Sequence, residues 1–406
     1  MPHSIMSLGS RKEYLKANYK RYRNEDKQGK QTIIDEFCKV TGYHRKSVVR
    51  LFNTPLVSKQ KPRKPRGKTY TSVIKYYLMK IWKILDYPCG QRLAPVLPEM
   101  VRVLERCKEI LFPREVKEKL ETISSSTVDR LLRDEKRKIR RNLHGTTKPG
   151  SLLKKHIPVV LSRWNEVTPG FTELDLVAHN GGNSNGDFGN TLNITDLATG
   201  WTEAESFLGK AQKRVNDALD NARKRLPFPL LGIDPDNGSE FINWQLYRYC
   251  VEDRIQFTRG RPGKKNDNAH IEEKNWTHIR KIVGYHRIET DEEIELLNRL
   301  YRGSWRLYEN FFQPVMKLKE KIQTTGSAKR KYDVPKSPYR RCLEAPDGHV
   351  SKKRKEELTT LYETLNPVKL KREIESLIEA LRRMMLKRTQ QTKQAENRNK
   401  NSNTSN

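Results

Sequence analysis

Between about residue 157 and residue 290 the sequence alternates short strand patterns with helix patterns, and this alternation constrains the fold most. The strand candidates are FTELDLVA, TLNITDLA, TEAESFLG, PFPLLGID and IQFTRG. The helix candidates are KAQKRVNDALDNARKRL, NWQLYRYCVEDR and AHIEEKNWTHIRKIVG. Strands that come first and then alternate with helices predict an α/β domain with a mixed sheet. Beyond residue 290 the pattern is helical.

Two helix pairs precede this domain. In KQTIIDEFCKVTGYHRKSVVRLF the turn Thr41-Gly42-Tyr43 separates two amphipathic segments, and in VKEKLETISSSTVDRLLRDEKRKIRR a serine within 124–126 can cap the second segment. Both patterns are typical of a helix-turn-helix with a basic recognition helix, although any small helical hairpin produces the same pattern. If they are helix-turn-helix elements, the basic side chains expected to contact DNA are Arg45, Lys46, Arg50, Arg130 and Arg133.

The charge of the chain is strongly one-sided. Lysine and arginine outnumber the acids 81 to 49, for a formal net charge of +32. Such a field is costly for a compact protein unless a polyanion offsets it, and nucleic acid is the commonest polyanion, with an anionic membrane surface as the rival.

Other classes find little support in the sequence. No run approaches the ~18–20 apolar residues of a membrane-spanning helix, and the N-terminus shows no signal-peptide core. The five cysteines form no CxxC pair, which argues against a zinc site or a disulfide framework. We therefore expect no membrane partner and a reducing cytoplasm.

Three acidic residues differ from the others in their surroundings. Asp175 interrupts the apolar strand TELDLVAH, Asp236 follows the strand PFPLLGI, and Glu272 falls in the first turn of a predicted helix. Aspartate is disfavoured in mid-strand, and the carboxyl end of a strand is where α/β sheets bind ligands. Three carboxylates brought together suit two hard divalent ions that activate a phosphodiester displacement. The acids that compete with Asp175 for the first position are Glu173, Asp187 and Asp196.

Two segments resemble motifs of a known family, the retroviral-integrase-like transposases. IDPDNGSEF resembles that family's DNG-S-EF motif, and NDNAHIEEKN resembles its DNA-x-VE-x-x-N motif. Asp236 and Glu272 have 35 residues between them, as the family's two acids do, and Asn275 completes the E-x-x-N pattern. Asp175 in ELDLVAH matches the family's first, shorter motif. The resemblance covers about residues 155–325.

The resemblance implies an RNase H-like catalytic core with Asp175, Asp236 and Glu272 as catalytic residues and metal ligands. It implies two Mg²⁺ ions per site, with Mn²⁺ as a substitute, and double-stranded DNA as partner. The implied reaction cuts the ends of a mobile element and joins them to target DNA. The alternatives are a metal-dependent endonuclease without strand transfer and a catalytically idle, sequence-specific DNA-binding regulator.

Departures from the family pattern refine this expectation. The N-terminus lacks the His-His-Cys-Cys zinc module of retroviral integrases, so the resemblance is nearer to bacterial insertion-sequence transposases. It implies a DNA-associated protein of the bacterial cytoplasm that forms a homo-oligomer when assembled on DNA. The loop before Glu272 differs from that of many relatives, and we expect it to approach DNA together with the end of the E-x-x-N pattern. The residues concerned are Arg261, Lys264, Lys265 and Asn275.

The expected organisation is multidomain, with an all-α N-terminal region, an α/β core and a helical C-terminal region. The predicted segments are a helix-turn-helix at 1–55, a basic linker at 56–70, a second helical DNA-binding region at 71–150, the catalytic core at 155–325, a basic helical region at 326–385 and a disordered tail at 386–406. The linker is rich in proline and the tail is polar and low in complexity.

Overall fold

A computed structural model describes residues 6–55, 69–142, 168–183, 185–209, 211–235, 244–258, 279–324 and 327–403. By its contacts the chain divides into two compact units, Met1–Thr69 and Tyr70–Asn406.

The first unit contains three helices around a small core of its own. They are α1 (Leu8–Asn24), α2 (Lys27–Thr41) and α3 (Arg45–Asn53). Asp26 caps α2 by accepting a hydrogen bond from the Gly29 amide at 2.7 Å, and α2 ends at Gly42, whose φ of 71° lies in the left-handed region that glycine tolerates best. The core side chains are Tyr22, Ile33, Ile34, Phe37, Val48 and Phe52. The two helices on either side of Gly42 lie where the sequence predicts them.

A helical layer begins the second unit. Its helices are α4 (Ser72–Ile84), α5 (Gly90–Leu93), α6 (Leu97–Arg106), α7 (Arg114–Thr122), α8 (Ser125–Leu131) and α9 (Arg133–Asn142). The Ser124 side chain caps α8 by accepting from the Thr127 amide, as the serine run indicates. Gly90 lets α5 approach α8 closely, because a Cβ there would lie 2.3 Å from the Ser125 carbonyl oxygen.

The sheet that follows is mixed, as the strand pattern predicts. Its strands are β1 (Phe171–His179), β2 (Gly189–Asp196), β3 (Thr202–Leu208), β4 (Gly232–Pro235) and β5 (Gln256–Phe257). The spatial order is β3-β2-β1-β4-β5. The first three strands form an antiparallel meander, whereas β4 and β5 run parallel to β1. The connecting helices are α10 (Gln212–Arg223) and α11 (Trp244–Glu252). This topology makes β1 the central strand.

The C-terminal part is helical apart from one hairpin. Its elements are α12 (Lys281–Val283), α13 (Asp291–Leu300), a π-helical turn (Tyr301–Trp305), α14 (Arg306–Phe312), β6 (Leu318–Thr324), β7 (Ser327–Tyr332), α15 (Pro338–Glu344), α16 (Lys352–Thr364) and α17 (Pro367–Asn403).

Two features here differ from the sequence prediction. The antiparallel pair β6–β7 stands where a helical pattern was expected, because lysine-rich stretches suit a helix as well as an exposed strand and carry little apolar periodicity. Helix α17 also continues to Asn403, through most of the stretch for which composition indicates a disordered tail. After Pro367 the segment contains no glycine or proline, and many of its residues are good helix formers.

One hydrophobic core joins the helical layer, the sheet and the C-terminal helices of the second unit. Polar contacts join the same parts. Arg106 of α6 donates to the carbonyl oxygens of Tyr362 and Leu365, at 3.0 and 3.2 Å, and the Tyr308 hydroxyl donates to the Ile84 carbonyl oxygen at 2.6 Å. No helix in the described part of the chain is both long enough and apolar enough to span a membrane.

Candidate active site

Asp175 lies on the central strand of the sheet. It is partly buried, and in the register of β1 and β2 it lies opposite the buried Asn193. One carboxylate oxygen, Oδ1, accepts a hydrogen bond from the Leu176 amide at 2.7 Å. Because strand side chains alternate between faces, Asp175 shares its face with Glu173, Val177 and His179. The face of β1 that carries Asp175 is therefore mostly polar, and Val177 is the one apolar residue among these four.

The neighbouring parallel strand β4 ends beside Asp175. The register pairs Glu173 with Asp234 and Leu174 with Pro235. Leu174 directly precedes Asp175, and Pro235 directly precedes Asp236 in the sequence. Asp236 itself lies outside the described residues, as does Glu272. Among the described residues, no group of three or more His, Cys, Asp and Glu side chains is placed to hold a metal ion.

The three competing acids occupy different environments. Asp196, at the end of β2, is fully buried and accepts hydrogen bonds from the Gly170 amide and from the amide and hydroxyl of Thr199, at 2.6–2.7 Å. Burial raises the pKa of the Asp196 carboxyl, with these bonds opposing the shift. Asp187 is exposed and lies before β2 in the turn that follows β1. Glu173 is buried one pleat repeat before Asp175 on the same face.

His179, at the end of β1, belongs to a buried polar chain. Its Nε2 lies 2.7 Å from the Thr191 hydroxyl, which lies 2.7 Å from the Ser206 hydroxyl on β3. Burial, reinforced by the nearby Arg280 guanidinium, lowers the pKa of His179 to about 3. The imidazole is therefore neutral near pH 7, and it packs within the sheet as a hydrogen-bonded structural group.

The basic residues expected at DNA fall on two helical regions and on undescribed segments. Lys46 and Arg50 are exposed on α3, while Arg45, also on α3, forms an ion pair with Asp35. Arg130 is exposed on α8 and Arg133 is exposed at the start of α9. The remaining four lie outside the described residues: Arg261, Lys264, Lys265 and Asn275.

Side chains that the sequence does not single out close the free edge of the sheet. Asn298 accepts from the Ser206 amide at 2.7 Å and donates to its carbonyl oxygen at 2.8 Å. Asn310 makes the same two bonds to Thr202, both at 2.8 Å. Arg225 donates to the Ala204 carbonyl oxygen between them at 2.9 Å. An asparagine within a helical pattern carries no local sign of such a role.

Comparisons with known proteins give one close relative and several distant structures. No protein-family model matches the chain. The uncharacterized protein y4rM of Sinorhizobium fredii is 36% identical over 337 residues, which cover 83% of this chain and 96% of that protein.

Solved structures similar to part of the chain include two integrase catalytic cores and an intasome. The catalytic core domain of BIV integrase is 14% identical, with a TM-score of 0.28, over 36% of this chain and 85% of its own. The HTLV-2 integrase catalytic core domain, in complex with magnesium, is 13% identical, with a TM-score of 0.28, over 37% of this chain and 93% of its own. A simian T-cell lymphotropic virus intasome in complex with PP2A regulatory subunit B56 gamma is 15% identical, with a TM-score of 0.29, over 48% of this chain and 64% of its own.

The similarity to the Sinorhizobium fredii protein is much stronger than these, because it extends over most of both chains at more than one-third sequence identity. This chain therefore belongs to the same protein family as the uncharacterized protein y4rM.

Proposed function

We propose that this protein is a DNA transposase or integrase of the bacterial cytoplasm, with an RNase H-like catalytic core and Asp175, Asp236 and Glu272 as its catalytic acids. The observation that carries the proposal is the register of β1 and β4, which ends one residue before Asp175 and Asp236. Neighbouring strands lie about 4.8 Å apart, and a trans peptide holds the next Cα about 3.8 Å from that of Pro235. Asp236 directly follows Pro235 in the sequence, and this adjacency supports its assignment as a partner of Asp175.

The position of Glu272 is argued from the sequence. The 35 residues between Asp236 and Glu272, together with Asn275, reproduce two motifs of the retroviral-integrase-like transposases. The carboxyl ends of neighbouring parallel strands are where α/β sheets bind ligands, and a helix that carries the third acid can approach the same end of the sheet. Together the sequence motifs and the strand register support a three-acid site.

The donor set fits divalent metal ions. All three groups are carboxylates, whose oxygens Mg²⁺ and Mn²⁺ prefer, and Asp175 is partly buried, with Oδ1 oriented by the Leu176 amide. Asp175, Asp236 and Glu272 would hold one or two such ions. When bound, the ions supply activation of a water or hydroxyl nucleophile and stabilisation of the leaving oxygen.

Other residues of the chain would position Asp175 and the DNA. The hydrogen-bonded strands β1 and β2 keep Asp175 in a rigid central position. Neutral His179 keeps positive charge out of the interior of the sheet. Basic side chains on α3, α8 and α9 would bind the DNA backbone and orient the scissile phosphate. Two in-line displacements would follow at one site, first hydrolysis at the element end and then attack of the freed 3′-hydroxyl on target DNA.

The test uses the full-length protein with labelled candidate element ends, target DNA and Mg²⁺, and it scores joined against merely nicked products. Joined products are expected. Nicked products alone would indicate an endonuclease, and binding without cleavage in Mg²⁺ or Mn²⁺ would indicate a DNA-binding regulator.

The first prediction concerns the three acids. Asp175→Asn, Asp236→Asn and Glu272→Gln should each reduce the rates of cleavage and joining by more than about 100-fold. Loss of a residue that only supports a metal ligand can cost up to ~100-fold, and loss of the ligand itself should cost more. Binding of DNA should persist, because each substitution removes a metal-ligating charge but little volume. Rates and affinities are measured in the same buffer.

Asp187→Asn is the matched control, since it makes the same change at an exposed acid before β2. It should keep near wild-type rates. Wild-type turnover in any of the three variants would remove that residue from the site.

A further inference from the structure

The hairpin β6–β7 concentrates positive charge outside the segments already expected to bind DNA. The ribbon and its first flanking residue carry one acid, Glu320, and six basic residues, namely Lys317, Lys319, Lys321, Lys329, Arg330 and Lys331. Lys319, Arg330 and Lys331 are exposed, the last with 67% of its side chain accessible. These three described side chains thus present positive charge to solvent.

Acids of the chain compensate little of the exposed positive charge on the ribbon. The acid Glu320 lies 3.7 Å from Lys331, but both groups are more than half exposed and such a pair contributes little. Within the described residues neither Lys319 nor Arg330 is paired with an acid. An external polyanion would neutralise these exposed positive charges.

The base of the ribbon is fixed to the sheet. The Lys317 amide donates to the Asp333 carboxylate at 2.7 Å, and the Asp333 amide donates to the Lys317 carbonyl oxygen at 2.9 Å. Asp333 also pairs with Arg341 at 2.7 Å, with both side chains largely buried. The Lys317 ammonium donates to the carbonyl oxygen of Leu197 just after β2. The charged strands therefore project from a rigid base.

We propose that the β6–β7 ribbon is a further DNA-binding element, whose basic side chains contact the phosphates of duplex DNA. This inference rests on the proposed function, which makes duplex DNA the partner. A strand of seven residues spans roughly 23 Å, and a two-stranded ribbon fits a major groove about 12 Å wide. Phosphate contacts of this kind position a protein on DNA without reading its sequence.

The test compares two triple variants of the full-length protein. Lys319→Ala, Arg330→Ala and Lys331→Ala together remove three exposed positive charges from the ribbon. Lys224→Ala, Lys352→Ala and Lys353→Ala together remove three exposed charges, one just after α10 and two at the start of α16. The equilibrium constant for a random-sequence DNA duplex is measured between about 50 and 200 mM salt. Equal thermal unfolding temperatures would show that both variants fold.

The ribbon variant should lower the slope of log K against log salt by about 2–3, since each phosphate contact contributes about 0.9. Its affinity should fall on the order of tenfold at the lowest salt. The α10–α16 variant should change the slope of log K against log salt by less than about 0.9, which is the contribution of one phosphate contact. Equal slopes in the two variants would overturn the proposal. So would a ribbon effect confined to anionic phospholipid vesicles or to single-stranded RNA.

The outcomes separate this proposal from the proposed function. If the wild-type protein binds no duplex, both fail. If the wild type binds duplex and cleaves it while the ribbon variant matches the α10–α16 variant, only the ribbon assignment is wrong. If the ribbon variant alone loses affinity while Asp236→Asn leaves cleavage unchanged, the ribbon assignment stands and the catalytic assignment falls.

Discussion

Asp196 and His179 are both titratable and fully buried, yet they affect the sheet in different ways. The Asp196 carboxylate accepts three hydrogen bonds that fix the turns at Gly170 and Thr199. His179 contributes as a neutral ring, because burial and Arg280 both oppose its protonation. Asp196 and His179 are fully buried and hydrogen-bonded within the protein, whereas Asp175 is only partly buried. At the residue scale, this difference in burial distinguishes the two structural side chains from the candidate metal ligand.

The pH dependence of stability tests the state of His179. The pKa of His179 is about 3 in the folded protein, against an ordinary value of 6.5 for histidine. The unfolded chain therefore binds the proton more readily, and the stability that neutral His179 contributes is full above pH 6.5 and is lost as the pH falls toward 3. The loss amounts to about 1.4 kcal/mol per pH unit inside that window. Urea unfolding between pH 7 and pH 4.5 should show it, and His179→Gln should flatten the dependence by a comparable slope.

His286→Gln is the control, because it removes an exposed imidazole. It should keep the wild-type pH dependence. The assignment fails if His179→Gln shows the same slope as the wild type, whatever its absolute stability.

At the element scale, the outer strand β3 is covered by side chains instead of another strand. Asn298 from α13 and Asn310 from α14 each make two hydrogen bonds to its backbone, and Arg225 donates a fifth to the Ala204 carbonyl oxygen between them. An open edge would offer unpaired amides and carbonyls to another chain. The helices that follow the sheet therefore also protect its edge.

Removal of either asparagine should be costly. Asn298→Ala and Asn310→Ala each leave a buried amide and a buried carbonyl without partners, and each should lower the free energy of unfolding by about 2–4 kcal/mol. Urea denaturation at pH 7 measures this. Asn221→Ala, at an exposed position on α10, should change stability by less than about 0.5 kcal/mol. Equal effects at all three positions would mean that the edge contacts add nothing to stability.

At the scale of the whole molecule, the two units differ in what they need in order to fold. Residues 1–69 have a core of their own, built from α1, α2 and α3. Residues 70–142 share theirs with the sheet and with the C-terminal helices. Arg340, for example, binds Glu99 of α6 at 2.7 Å, and Asn366 donates to Glu109 at 2.8 Å. The helical layer is thus part of the second unit.

Two fragments test this difference. Residues 1–69 should unfold cooperatively as an isolated fragment and bind element-end DNA without metal, with an affinity that falls steeply with salt. Residues 70–150 alone should lack a cooperative transition, because the apolar surface that meets the sheet and α17 would face water. Circular dichroism melts and binding titrations measure both. A cooperative melt for 70–150 would contradict the shared core, and equal affinity of 1–69 for random duplex would contradict end recognition.

Local patterns in the sequence determined the elements that local physics controls. The helices on either side of Gly42 follow from amphipathic spacing and a residue that tolerates positive φ, and the strands β1, β2 and β3 follow from apolar and β-branched runs. The pairing of Asp236 with Glu272 as candidate ligands came from motif spacing, and the central position of β1 agrees with the predicted mixed sheet.

Only the tertiary structure determined how the β3 edge is covered, what the helical layer packs against and where the β6–β7 ribbon forms. The contacts responsible join residues far apart in the chain. Asn298 and Asn310 meet β3 across about a hundred positions, and Arg106 meets Tyr362 across 256. The β6–β7 ribbon is a strand pair although its lysines suit a helix, and Lys317 and Asp333 join its two ends. Such contacts leave no periodic trace in either segment, since a single polar side chain satisfies a distant backbone group whatever its neighbours are.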